Sequence, residues 1–365
     1  MRGGALLKTL MRILVVIVFV FLIGFYRNPS IQENDVLENQ LTEKPRKEMT
    51  PDTSAPAISD GLTRPKSGLS VYIGKDINAY TEQWGEPDRV DAGDYYLDWW
   101  IYNRGAEGYM QIGVTNGIIR SVYVMGEGVD VSPYYIGQPI DEIYRFTMIN
   151  SEVVVESEDG IYQFELSEED LHTRLLIPFG EVYAQLYIDQ YTGKILGVQF
   201  LDIETLINQR PYELAYRGDL PEVTIAEQEQ QQIDAAYERQ IFDMSNIIRL
   251  NEGLAPLEWE ERIAVIARSH SQKMQEDVFY SRESSTDAAL ADRLDETMLT
   301  YEIAGENIAS NYTDAFAVVH AWINSEKHRA TMLSDDFTQM GVGVISDYYT
   351  QIFIKIENEE EEVLE

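Results

Sequence analysis

Gly305-Glu306-Asn307-Ile308-Ala309, then Trp322-x-x-Ser325-x-x-His328-Arg329, then Met340-Gly341-Val342-Gly343-Val344 decide the reading of the last third of this chain. The first block is a short polar segment between helices. The second ends an apolar helix over Asp314 to Asn324, where Thr313 is placed to cap the first turn. The third opens one of two closing strands, Met340–Ile345 and Tyr349–Ile356. Working outward, a helix from about Glu258 to Gln275 carries Ile263, Ala267, His270 and Met274 on one face. Before it, Ile233, Tyr237, Ile241, Met244 and Ile248 make one apolar helical stripe, which Asn251-Glu252-Gly253 ends.

Further blocks surround these. Asn251-x-Gly253-Leu254-x-Pro256-Leu257-x-Trp259 leads into Ala267-Arg268-x-His270-Ser271-x-x-Met274, and Tyr349-Thr350-Gln351-Ile352-Phe353 closes the run. Five ordered blocks over about 120 residues resemble the CAP superfamily of cysteine-rich secretory, antigen 5 and pathogenesis-related proteins, in its bacterial branch. The resemblance implies an α-β-α sandwich with a central cleft over 225–357. It also implies a cleft tetrad of two histidines and two acids, which in some members holds a divalent metal. At the matching positions stand Arg282, Glu306, Ser325 and Tyr348, a set unsuited to Zn²⁺. No metal or other cofactor is therefore expected.

The candidate chemistry is sparse. Ser325, His328 and Glu306 are the ingredients of a nucleophile, base and orienter, but no G-x-S-x-G elbow is present. The alternative is that Ser325 and His328 cap the helix end while Arg329 pairs with a carboxylate. His270, on an apolar stripe, reads as a satisfied core or cleft-wall residue. Glu306 and Asn307 read either as a structural pair with Arg282 as the mate of Glu306, or as ligand contacts. The candidate binding set is thus Arg282, Glu306, Asn307, Ser325, His328, Tyr348 and His270.

Residues 68–215 read as a duplicated α+β domain. Ile73-Gly74-Lys75 with Ile77 and Tyr80 recurs as Ile136-Gly137-Gln138 with Ile140 and Tyr144, and each copy runs from a short helix into strands. Asn116-Gly117 is a hairpin turn between strands 109–115 and 118–125. Tyr95, Tyr96, Trp99, Trp100 and Tyr102 form either alternating core packing or an aromatic binding face. This region resembles the CAP-associated amino-terminal domain of membrane-anchored proteins from Gram-positive bacteria.

At the amino terminus, Arg2, Lys8 and Arg12 precede an apolar run from Ile13 to Tyr26, short of the ~20 residues that span a bilayer. No small-residue cleavage site follows, so 1–27 reads as an uncleaved signal-anchor that puts the chain outside the cytoplasm. A cleaved signal and a secreted protein is the alternative. Residues 28–67, proline-bearing and without aromatics, read as a disordered tether, and 358–365 as a solvated acidic tail. With 28 Lys+Arg against 63 Asp+Glu the net charge is −35, which argues against nucleic-acid binding. The absence of cysteine removes disulfides, thiolate metal sites and cysteine nucleophiles. The fold class is α+β, and the anchor, the linker, the acidic exterior and the depleted tetrad together point to a non-enzymatic, membrane-tethered module for an envelope lipid, peptide or protein. The rival is a hydrolase or protease using a Glu306/His328 cleft, and a third option gives the function to the middle domain.

Overall fold

The computed structural model describes residues 11, 14, 30–39, 47–48, 61–222, 224–280 (backbone only over 277–280), 289–295 and 299–356. Most of the apolar run at 13–26, the 358–365 tail and Arg282 lie outside the described residues. Among the described residues no helix is long and apolar enough to cross a membrane.

The first finding corrects the tether. Within the segment expected to be disordered, β1 (Ser30–Glu33) and β2 (Leu37–Glu38) run parallel to a strand of the last domain, while β3 (Lys47–Glu48) joins the middle domain. A stretch without aromatics cannot build a core of its own. It can still fold by addition, because an existing sheet edge supplies its backbone partners and only Ile31 and Leu37 need cover.

The middle domain continues with α1 (Asn78–Trp84), β4 (Arg89–Ala92), β5 (Asp98–Asn103), β6 (Tyr109–Thr115) and β7 (Ile118–Met125). After α2 (Ile140–Phe146) come β8 (Glu152–Ser157), β9 (Gly160–Glu165), α3 (Asp170–Thr173), β10 (Arg174–Phe179), β11 (Val182–Asp189) and β12 (Lys194–Asp202). Next are α4 (Ile203–Gln209) and β13 (Glu213–Gly218). One antiparallel sheet has the order β10-β11-β12-β7-β6-β5-β4, and β3-β13-β9-β8 form a smaller one. The duplication is visible at the β12–β7 seam. Gly74 N–H donates to Ile119 O (2.8 Å) and Gly137 N–H to Ile195 O (2.7 Å), so each Ile-Gly turn docks on its own hairpin. Both glycines sit at positive φ (83° and 85°), which a side chain would resist.

The last domain comprises α5 (Glu227–Asn251), β14 (Glu258–Trp259), α6 (Glu261–Tyr280), α7 (Leu290–Asp295), β15 (Tyr301–Ser310), α8 (Ala315–Ile323), α9 (Glu326–Met332), β16 (Gln339–Ile345) and β17 (Tyr348–Ile356). Its sheet has the order β1-β15-β17-β16-β14, with β2 continuing the β1 edge. The glycines of β16 let α6 press onto one face: a Cβ at Gly343 would lie 2.0 Å from Arg268 N, and one at Gly341 2.5 Å from Ala264 N. Between them Met340, Val342 and Val344 point to the other face, into the core shared with α5 and α8. An α-β-α sandwich results.

Helix α8 is buried on both sides. Trp322 faces its own sheet, donating to Ile308 O (3.4 Å), while Phe316 stacks on Tyr123 (4.8 Å, 14°) and meets Trp99 edge-on (5.8 Å). The aromatic run of the middle domain is thereby divided. Trp99 and Tyr102 are core, whereas Tyr96 is exposed. Asp314, not Thr313, caps α8, its Oδ1 accepting from Ala317 N–H (2.8 Å).

Candidate functional site

The Gly-Glu-Asn segment, read as a connection between helices, is the middle of the ten-residue strand β15. That change of element decides the site. Successive strand residues point to opposite faces, so Glu306 and Asn307 cannot serve one cluster.

Glu306 faces α6 and α7. Arg293 of α7 donates from both terminal nitrogens to its two carboxylate oxygens, each at 2.8 Å. The Glu306 carboxylate is almost fully buried, and His270 Nδ1 of α6 lies 3.5 Å from Oε1. Thr350 Oγ1 is also 3.5 Å from that nitrogen. This parallel two-bond geometry is the strong form of an arginine–carboxylate pair. It pins the short α7, whose Leu290 and Leu294 are fully buried, against β15.

Asn307 faces α9. Its Nδ2 donates to His328 O (3.1 Å), and its Oδ1 accepts from Asn34 Nδ2 (2.9 Å). Asn34 Nδ2 also contacts Glu306 O (3.0 Å) and Thr331 Oγ1 (2.9 Å). The His328 ring is bracketed, with Nε2 3.0 Å from Asp35 O and Nδ1 2.7 Å from Ser325 Oγ. A carbonyl only accepts, so Nε2 carries the proton and Ser325 O–H donates to Nδ1. Burial pushes the His328 pKa down, against the smaller upward pull of Asp35, which fits this neutral ring. The Asp35 carboxylate turns away, to Lys327 Nζ (3.2 Å).

The geometry therefore brings together Ser325 with His328, and Glu306 with His270, and holds the two pairs apart on opposite faces of β15. Ser325 occupies the N-cap of α9 without capping through its side chain, because the hydroxyl is spent on His328. Arg329 does reach a carboxylate, Asp189 (3.1 Å). Arg293 is a partner seen on Glu306 among the described residues, and the expected Arg282 lies outside them. Tyr348 lies at the start of β17, half-buried, its hydroxyl pKa raised by burial and then by Asp347 and Glu38. A divalent cation does not suit these residues: both Glu306 oxygens are engaged by a guanidinium, and serine and tyrosine are poor ligands.

Sequence reasoning missed four participants. Arg293, Asn34 and Asp35 carried no motif. His320 lies between the domains, stacked on Tyr187 (4.2 Å, 14°), with Nε2 2.7 Å from Tyr123 Oη. Burial, then Arg174, depresses its pKa to about 3. It borders an interdomain cleft of about 310 Å³, lined also by Leu37, Arg174, Tyr187, Tyr312 and Asn324. Its place in the apolar run Ala315–Ile323 was the one available signal.

A sandwich edged by a Gly-Glu-Asn strand and packed on a duplicated strand-rich partner defines a two-domain protein of the SCP type. The chain belongs to the cysteine-rich secretory protein (CAP) family, whose pattern matches residues 242–354, behind a CAP-associated N-terminal region matching 73–212. It is 39% identical over 318 residues to the uncharacterized membrane protein YlbC of Bacillus subtilis, covering 86% of this chain and 92% of that protein. The crystal structure of an extracellular SCP-domain protein from Bacillus anthracis superposes with TM-score 0.74 at 35% identity, covering 84% of this chain and 99% of that one. A cysteine-rich secretory protein from Staphylococcus aureus gives TM-score 0.76 at 32% identity, covering 88% and 98%.

Proposed function

We propose that this CAP-family chain is a membrane-tethered, extracytoplasmic binding module without catalytic activity, serving an envelope peptide, lipid or protein. The observation that carries the non-enzymatic reading is the division of the candidate residues by β15. Glu306 is held by Arg293 on one face, while His328 is bracketed by Ser325 and Asp35 on the other. A triad needs its carboxylate on the imidazole, and here the imidazole's second nitrogen meets a backbone carbonyl. The membrane description of YlbC and the apolar run at 13–26 support the tether. With β1 starting three residues after Arg27, a docked segment would hold the sandwich within about 10 Å of the bilayer surface.

The Ser325–His328 hydrogen bond favours a second reading, a hydrolase dyad. One experiment separates them. Full-length protein in membranes is assayed with a p-nitrophenyl ester and with casein, beside its Ser325→Ala variant. The expected result is equal, background turnover. Turnover lost in Ser325→Ala would overturn the binding reading. In the same preparation the protein should sediment with membranes and keep its Met1-proximal peptide, whereas a mature terminus within 28–67 would make it secreted.

A further inference from the structure

Residues 30–39 lie along the whole free edge of β15, in register Ser30↔Ile303 to Glu33↔Glu306 and again Leu37↔Ala309 and Glu38↔Ser310. Between Glu33 and Leu37 the segment advances four residues while β15 advances three. That one-residue bulge changes which face each side chain meets. Ile31 packs beside Ala304 in the α6–α7 core, while Leu37 packs into the opposite core beside Ala309. At the bulge, Asn34 enters the notch of Asn307 and Thr331, and Asp35 offers its carbonyl to His328. Glu33 accepts from Leu290 N–H at the start of α7. None of the ten residues is fully buried, whereas Ala304–Ser310 of β15 are buried throughout. The segment is the exposed outer layer of the sheet and reaches each core only through the half-buried Ile31 and Leu37.

We propose that the β15 edge is a peptide-addition groove, filled in the resting chain by its own residues 30–38, whose external ligand is an extended peptide with the pattern apolar-x-x-Asn-x-x-apolar added parallel to β15. Main-chain bonds to the strand supply affinity, and the two apolar sockets and the carboxamide notch supply selection. The resident segment and the ligand compete for one edge, so binding requires release of the segment. The proposal rests on the binding-module reading and names its ligand class.

The test uses the full-length chain and a fluorescein-labelled peptide of residues 29–39. Three chains are compared: wild type, Asn34→Ala, and Ile31→Asp/Leu37→Asp, in which both sockets lose their occupants. The double variant should bind the peptide at least tenfold more tightly than wild type, with Asn34→Ala between them. An Asn34→Ala peptide should bind at least tenfold more weakly than the native one. Hydrogen exchange reports folding independently, since β16 and β17 should keep their protection while β15 loses it in the double variant and regains it with peptide. Asn34→Ala, which keeps both apolar anchors, serves if the double variant unfolds. No binding to any chain, equal binding of a scrambled peptide, or a dimer of the double variant that peptide cannot disperse would each overturn the groove. A peptide that is bound and then cleaved would sustain the groove and refute the binding-only reading.

Discussion

Glu306 is a residue whose visible partner comes from a helix that carries no motif. The sequence singles it out because a carboxylate between Gly and Asn needs a mate, and Arg282 is the cation suggested by family position. The structure supplies Arg293, from a short helix with no motif, in a two-bond clamp at 2.8 Å. Removing one member of a buried pair leaves the other unmatched, at a cost of about 3–5 kcal/mol, and less where water reaches it. Glu306→Gln should therefore destabilise the chain, and adding Arg293→Met should recover part of the loss. The quantity to measure is the coupling in a double-mutant cycle by chemical denaturation, expected above ~1 kcal/mol. Coupling near zero, with Glu306→Gln as stable as wild type, would instead mark a residue kept for ligand contact at the expense of stability.

At the scale of elements, alternation and turn chemistry were enough where a strand is half-buried and flanked by clear turns. β6, β7 and the Asn116-Gly117 hairpin between them stand where the sequence puts them, with φ of 52° and 79° at the turn. β15 escaped because Gly, Glu, Asn and Ser interrupt its apolar residues, and its polar groups are satisfied by tertiary partners that a sequence does not display. The β1–β2 segment escaped for the converse reason: it folds on an edge built about 270 residues later. Helix α8 was legible as a helix, but not as the element that joins the domains. Apart from His320 its run Ala315–Ile323 is apolar all round, which a helix needs only when both sides are covered. Phe316→Ala would remove the stack on Tyr123 and the edge contacts with Trp99 and Tyr187. A cost of about 3–5 kcal/mol is expected for a buried aromatic of this kind. Scanning calorimetry should give one transition for wild type and two for the variant. A single transition at an unchanged temperature would mean that α8 does not couple the domains.

For the whole molecule, the interdomain seam makes stability depend on pH with a sign that can be worked out. Burial, and beyond it the neighbouring Asp94, pushes the Asp314 carboxyl up to about 7, against the pull of its Ala317 cap. Burial likewise raises Asp94 to about 6. A carboxyl whose folded pKa is raised stabilises the native state most below its unfolded value, about 3.9, and that contribution fades as pH rises through the folded value. His320 and His328 act oppositely: their lowered pKa values give a contribution that is present above about 6.5 and lost on acidification. Between pH 6.5 and 8 the folded His320 and His328 stay neutral while their unfolded forms lose their remaining protons, a change that wild type and an Asp314 variant share and that cancels in the difference between them. Within that window the Asp314 ionisation is the dominant carboxyl change, and it should cost wild type roughly 1 kcal/mol relative to a chain that cannot ionise at that position. In a chain of this length that corresponds to a relative Tm change of about 2 °C. Asp314→Asn keeps an oxygen for Ala317 N–H but cannot ionise. The gap between variant and wild type should therefore move in the variant's favour as pH rises. Parallel slopes for the two proteins would show that Asp314 does not carry the proton, and would move the titration elsewhere in the seam.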